Sequence, residues 1–133
     1  MVLVDTNILA YLMIEGIRTA EAQRLFDRDP DWRSEAFIMV ELSNILTTHV
    51  RTGALTRERA LRLLAEASVL IPAQTSVPHA RALEAANDYG ISAYDGRFIA
   101  LARQMRRPLV TEDAKLRAVA PEWTVSLGDA VRS

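Results

Sequence analysis

The sequence contains no cysteine. That absence excludes a disulfide-stapled fold, a thiolate zinc site and a cysteine nucleophile together. Histidine is nearly missing too: His49 and His79 fall on separate predicted helices, beside no acidic motif, and read as surface or packing residues. Lysine occurs once, at Lys115, so the 16 basic residues are almost all arginine. Against 17 acidic residues they leave a net charge of −1. Bulk positive charge therefore cannot hold this chain to nucleic acid, although a local basic surface still could. No apolar run approaches the ~20 residues that cross a bilayer. The apolar start at Met1 is broken at Asp5 and Asn7, too early for a secretory core, so a cytoplasmic protein is expected. Pro/Gly-rich linkers, internal repeats and low-complexity segments are absent as well.

What is present is an ordinary globular composition. The 133 residues, 50% hydrophobic and 25% charged, suit one domain over residues 1–133. Val2-Leu3-Val4 reads as a short buried strand leading into an apolar helix from about Asn7 to Met13. Thr19 to Arg28 reads as a helix with Ala22, Leu25 and Phe26 on its inner face. After the Asp29-Pro30-Asp31 turn come a short strand at Trp32–Glu35 and a long helix from about Phe37 to Arg51, closed by Gly53. Thr56 opens the next helix, with Leu61, Leu63 and Leu64 expected inside. Val69-Leu70-Ile71 reads as a strand, Val77–Tyr89 as a helix stopped by Gly90, and Ser92 to about Arg106 as another helix. Pro108–Thr111 and Trp123–Val125 read as the last strands, on either side of a helical turn at Ala114–Ala118. Trp32 and Trp123 are expected in the core. Short strands alternating with helices predict a three-layer α/β/α fold with a short central parallel sheet. Ligands bind such sheets beyond the C-terminal strand ends, where the strand order reverses.

Four acidic residues stand out in that frame. Asp5 and Asp113 follow apolar strands directly, and each also suits a helix start. Glu41 has Phe37, Ile38 and Ile45 as helical neighbours, and a carboxylate in an apolar stripe must be paired, protonated or metal-bound. A buried ion pair with an arginine is its structural alternative. Asp95 lies three residues after Ser92, as in a relaxed capping box. Singly, most of these positions have a structural explanation. If the sheet is parallel, these positions can converge at one end of it, and four carboxylates share a pocket only where a cation offsets their repulsion. Oxygen ligands without Cys or nearby His select Mg²⁺ or Mn²⁺ over zinc. Such ions activate water and neutralise a leaving oxygen in phosphodiester hydrolysis.

Val4-Asp5-Thr6-Asn7-Ile8, Glu41-Leu42-x-Asn44, Tyr94-Asp95 followed by Ile99-Ala100-Leu101-Ala102, and Leu109-Val110-Thr111-x-Asp113 occur in that order. Together they resemble the PIN domain and, more narrowly, VapC-type toxins of toxin–antitoxin pairs. The likeness runs from Val2 to about Val125. It implies a PIN-like fold and a Mg²⁺- or Mn²⁺-dependent endoribonuclease whose catalytic and metal-binding residues match Asp5, Glu41, Asp95 and Asp113. Thr6, Asn7 and Thr111 would orient carboxylates or waters. It also implies an RNA substrate, a VapB-like antitoxin as partner, and a homodimer. The chain departs from the family upstream of Glu41, where Phe37 and Ile38 replace an often small hydroxyl residue.

Between Asp95 and Glu112 the sequence holds Arg97, Arg103, Arg106 and Arg107 and no acid, which suggests a phosphate-contacting rim with Arg97 nearest the metals. Asp88 is a possible fifth acid, although a solvated position suits it better. Rival readings fit less well. An aspartyl-nucleophile phosphatase wants a second Asp where Asn7 stands, and a receiver domain wants a Lys after its last strand. A degenerate PIN domain that only binds RNA or protein would not need all four carboxylates.

Overall fold

The computed structural model describes residues 1–133. Five short strands, β1 (Val2–Val4), β2 (Trp32–Glu35), β3 (Gln74–Thr75), β4 (Leu109–Val110) and β5 (Thr124–Val125), pair in parallel in the order β3-β2-β1-β4-β5. The chain steps outward from β1 to β2 and β3, then returns to the other side of β1 for β4 and β5. The strand order thus reverses between β1 and β4, and the crevice beyond their C-terminal ends is the place where such sheets bind ligands.

Right-handed crossovers put the helices of the two directions on opposite faces. One layer holds α1 (Thr6–Met13), α2 (Thr19–Arg28), α3 (Ile38–Arg51) and α4 (Arg57–Leu70), joined by the C-terminal α8 (Leu127–Arg132) packed on α2. The other holds α5 (His79–Tyr89) and α6 (Ala93–Met105), with α6 against β2 and β4. Between them lie Leu3, Val4, Leu109 and Val110 from the strands and Ile8, Leu9, Ile38, Leu42, Phe98 and Ile99 from the helices, all buried. A short α7 (Ala114–Val119) precedes β5. This is the three-layer arrangement expected from the sequence. No helix is long and apolar enough to cross a membrane.

The contact between α5 and α6 is unusually close because small residues face each other. A Cβ added at Gly96 would lie 2.5 Å from the Ala82 carbonyl oxygen and 3.2 Å from the Ala86 Cβ. Gly90 ends α5 with φ +64°, the left-handed cap that glycine adopts without strain.

Three local expectations are corrected. Val69-Leu70-Ile71 forms no strand: Val69 and Leu70 end α4, and Ile71 caps it. The buried positions Leu63, Ala67 and Ile71 follow a helical spacing of four, Val69 faces solvent at 80% exposure, and Pro72 ends the run. The outer strand is instead the polar pair Gln74–Thr75. Leu61 points outward at 68% exposure, so only Leu63 of the expected three is fully inside. Helix α8, capped by Ser126, carries no long apolar period and was not expected.

Candidate active site

Asp5 and Asp113 are placed by strands and fixed by helices. Asp5 follows β1, and its backbone N–H continues the ladder by donating to the Val110 carbonyl at 3.0 Å. Its carboxylate caps α1 by accepting from the Thr6 N–H at 2.7 Å. The other oxygen accepts from the Thr111 hydroxyl at 2.7 Å. Asp113 follows β4 and caps α7, accepting from the Leu116 N–H at 3.1 Å. Both residues therefore fill the capping role and face the crevice at the same time.

Glu41 and Asp95 arrive from helices on opposite faces of the sheet. Glu41, in the first turn of α3, accepts a 2.6 Å hydrogen bond from the Thr6 hydroxyl and has no cationic partner. Asp95, in the first turn of α6, donates its backbone N–H to the Ser92 hydroxyl at 3.1 Å. The return bond of a full capping box, from the Ser92 N–H to the carboxylate, is not formed. The supports expected from the sequence surround these acids. Thr111 is fully buried, and its hydroxyl accepts from the Asp113 N–H at 3.1 Å and from the Asn7 amide at 3.4 Å while donating to Asp5. Asn7 in turn accepts from the Glu112 N–H at 3.3 Å.

One cavity of about 450 Å³ is lined by Asp5, Thr6, Asn7, Glu41, Asn44, Asp95 and Asp113, with Phe37, Val40, Ile45 and Tyr94 at its side. No lining residue is basic. The Asp5 carboxyl is pushed up to about 6 by burial, with the charges of Glu41 and Asp95 adding, against the lowering effect of Thr111 and Thr6. Burial also raises Glu41, reinforced by Asp95, although the Thr6 hydroxyl opposes it. Asp95 is raised by burial and then by Asp113, with Ser92 opposing. Asp5 is thus raised by Glu41 and Asp95, Glu41 by Asp95, and Asp95 by Asp113, a chain of repulsion across the crevice.

An all-oxygen donor set of mutually repelling acids fits a hard divalent cation. No three of them are grouped closely enough to hold one metal ion between them. Mg²⁺ in particular keeps several waters and takes one or two carboxylates with substrate phosphate, so an open arrangement suits it.

Two sequence expectations change here. Arg97 does not stand free on the rim. It lies 2.9 Å from Glu35, which is fully buried, and also donates to the Val77 carbonyl at 3.0 Å. Glu35 accepts further from the Phe37 N–H at 2.6 Å and the Val77 N–H at 2.9 Å. The buried ion pair considered for Glu41 thus belongs to Glu35, the last residue of β2, which no motif in the sequence singles out. Arg103 covers the Tyr89 ring and pairs with Asp88 at 2.9 Å, and neither lines the cavity. Arg103 lies two turns of α6, roughly 12 Å along the axis, from Asp95. Asp29, at the N-terminal end of the sheet, is held below its ordinary value chiefly by the Met1 ammonium and the Asp31 N–H, with Arg107 adding a smaller effect.

The PIN domain family matches residues 2–121. The chain belongs to the PIN domain family. Among proteins it resembles, Ribonuclease VapC3 of Pyrobaculum aerophilum is 26% identical over 122 residues, 89% of this chain and 93% of the relative. The crystal structure of PAE2754 from Pyrobaculum aerophilum superposes with a TM-score of 0.80 at 20% identity, over 98% of this chain and 91% of that one. That likeness is one of fold. Within the PIN domain described here, the crevice between β1 and β4 gathers the four acidic motifs that carried the sequence resemblance.

Proposed function

We propose that this PIN domain is a Mg²⁺- or Mn²⁺-dependent endoribonuclease and the toxin of a toxin–antitoxin pair. One observation carries the reading: Asp5, Glu41, Asp95 and Asp113, each from a different element, line one cavity that has no cation of its own. The resemblance to a ribonuclease over nearly the whole chain supports it. Asp5, Glu41, Asp95 and Asp113 would hold the ions, which supply activation of water and neutralisation of charge on the leaving oxygen. Thr111 and Thr6 hold the Asp5 and Glu41 carboxylates in their orientation, and Asn7 braces Thr111 from behind. The partner would be a small VapB-like antitoxin that blocks the cavity by placing a basic side chain among the unneutralised acids.

The test is RNA cleavage by the purified protein with Mg²⁺, with Mn²⁺ and with chelator. Asp5→Asn and Asp95→Asn should each abolish cleavage, leave the folded circular dichroism spectrum intact, and remove the rise in melting temperature that Mg²⁺ gives the parent. If Asp95→Asn cut RNA as fast as the parent, the assignment of these carboxylates would fail. If neither metal raised the parent's melting temperature, the metal requirement would fail with it.

A further inference from the structure

No lining residue of the acidic cavity is basic, so within it the groups other than the carboxylates that can hold a substrate are neutral ones. The chain contains two Trp, three Tyr and three Phe. Trp32 and Phe98 are buried, and Phe26 packs edge-on against Trp32. Trp123 packs against the core. Arg18 covers the Tyr11 ring at 5.4 Å and Arg103 covers Tyr89 at 5.0 Å. The remaining two stack on each other: Phe37 and Tyr94 lie with centroids 5.3 Å apart and planes 6° from parallel. Tyr94 is 63% exposed, and its neighbour in sequence is Asp95. The pair lines both the acidic cavity and the adjoining apolar groove that also takes in Val40 and Leu83.

Resting on the ribonuclease reading, we propose that Tyr94, backed by Phe37, is a stacking platform for one nucleobase of the RNA next to the scissile phosphate. A tyrosine this exposed, held flat by a ring behind it, offers an ordered π face at little entropic cost to binding. Unpaired bases bind such faces with little sequence preference. An RNA strand whose phosphate enters the crevice would lay the adjacent base over the ring.

The experiment uses an RNA that the parent cleaves, with its cut site mapped, and versions carrying an abasic nucleotide at each flanking position. Binding is measured with Ca²⁺ in place of the catalytic ion, and cleavage with Mg²⁺. Tyr94→Leu and Tyr94→Ala should weaken binding and raise KM roughly ten- to a hundredfold, with kcat and the Mg²⁺ stabilisation near the parent's. Tyr94→Phe should bind like the parent. In the parent, one abasic position should lose the same factor; in Tyr94→Leu that position should lose almost nothing further. Equal abasic penalties in parent and Tyr94→Leu would overturn the platform while leaving the nuclease reading intact. So would loss of RNA affinity that tracks dissociation of a dimer by light scattering, which would make this face a contact between copies. If the parent cleaves no RNA at all, the nuclease reading and the platform fall together.

Discussion

Single side chains in this protein combine jobs that a sequence reading treats as alternatives. Asp5 is both the N-cap of α1 and a wall of the acidic cavity, and Asp113 repeats the combination at α7. A cap places a carboxylate at a helix N-terminus, and in a parallel sheet those termini gather at one edge, so capping and ligand geometry coincide. Arg97 shows the opposite case, a base with the look of function whose contact, with the buried Glu35, is structural. Removing one partner of a buried pair leaves the other charge uncompensated. Arg97→Ala and Glu35→Gln are each expected to lower unfolding free energy by about 3 kcal/mol in chemical denaturation. The salt dependence of RNA binding by Arg97→Ala should match the parent's. A shallower salt slope in that variant would restore Arg97 to the phosphate rim.

At the level of elements, α6 carries Asp95 into the crevice, and its position depends on how closely α5 lets it approach. The residue that sets this distance is Gly96, since a Cβ there would meet the Ala82 carbonyl at 2.5 Å and backbone cannot step aside. Gly96→Ala should therefore push α6 off α5 despite alanine's better helix propensity. The expected loss is about 1–3 kcal/mol of stability, accompanied by reduced cleavage because Asp95 moves with the helix. An unchanged or higher melting temperature would show that the pair can separate freely. Elements also explain the misread strand at Val69–Ile71. β-branched residues favour strands on average, but here a four-residue spacing from Leu63 through Ala67 to Ile71 buries one helix face. Tertiary burial outweighed local propensity.

Across the whole molecule, Glu112 ties together segments far apart in the chain. It is paired with Arg18 at 2.7 Å and Arg117 at 2.7 Å, and it accepts the Leu127 N–H at 3.0 Å. One residue thus joins the start of α2, α7 and the start of α8. Burial alone would raise the Glu112 carboxyl, but Leu127, Arg18 and Arg117 outweigh it and hold the group below its ordinary value. A depressed folded-state value means this stabilisation is complete above the ordinary carboxylate range and is lost as pH falls through the lowered value. Glu112→Gln should melt lower than the parent at neutral pH, and the gap should narrow as the solution is acidified below that range. A gap that stayed constant with pH would assign the loss to packing rather than to charge.

The supports at Thr6, Asn7 and Thr111 entered only through the resemblance to the PIN domain; the sequence by itself determined the alternation of short apolar strands and helices and the positions of the four acids. These are legible because periodicity and capping are local, and because a carboxylate beside an apolar strand has few stable fates. It did not reveal the ion pair of Glu35 with Arg97, the clamp at Glu112, the exposed face of Leu61 or the stacking of Phe37 on Tyr94. Each of those depends on partners distant in sequence, brought together only when β4 returns to the far side of β1. The absence of cysteine and the scarcity of histidine left oxygen donors as the sequence's main candidate ligands. Which carboxylates face one another was decided by the strand order, because the reversal between β1 and β4 creates the crevice they share.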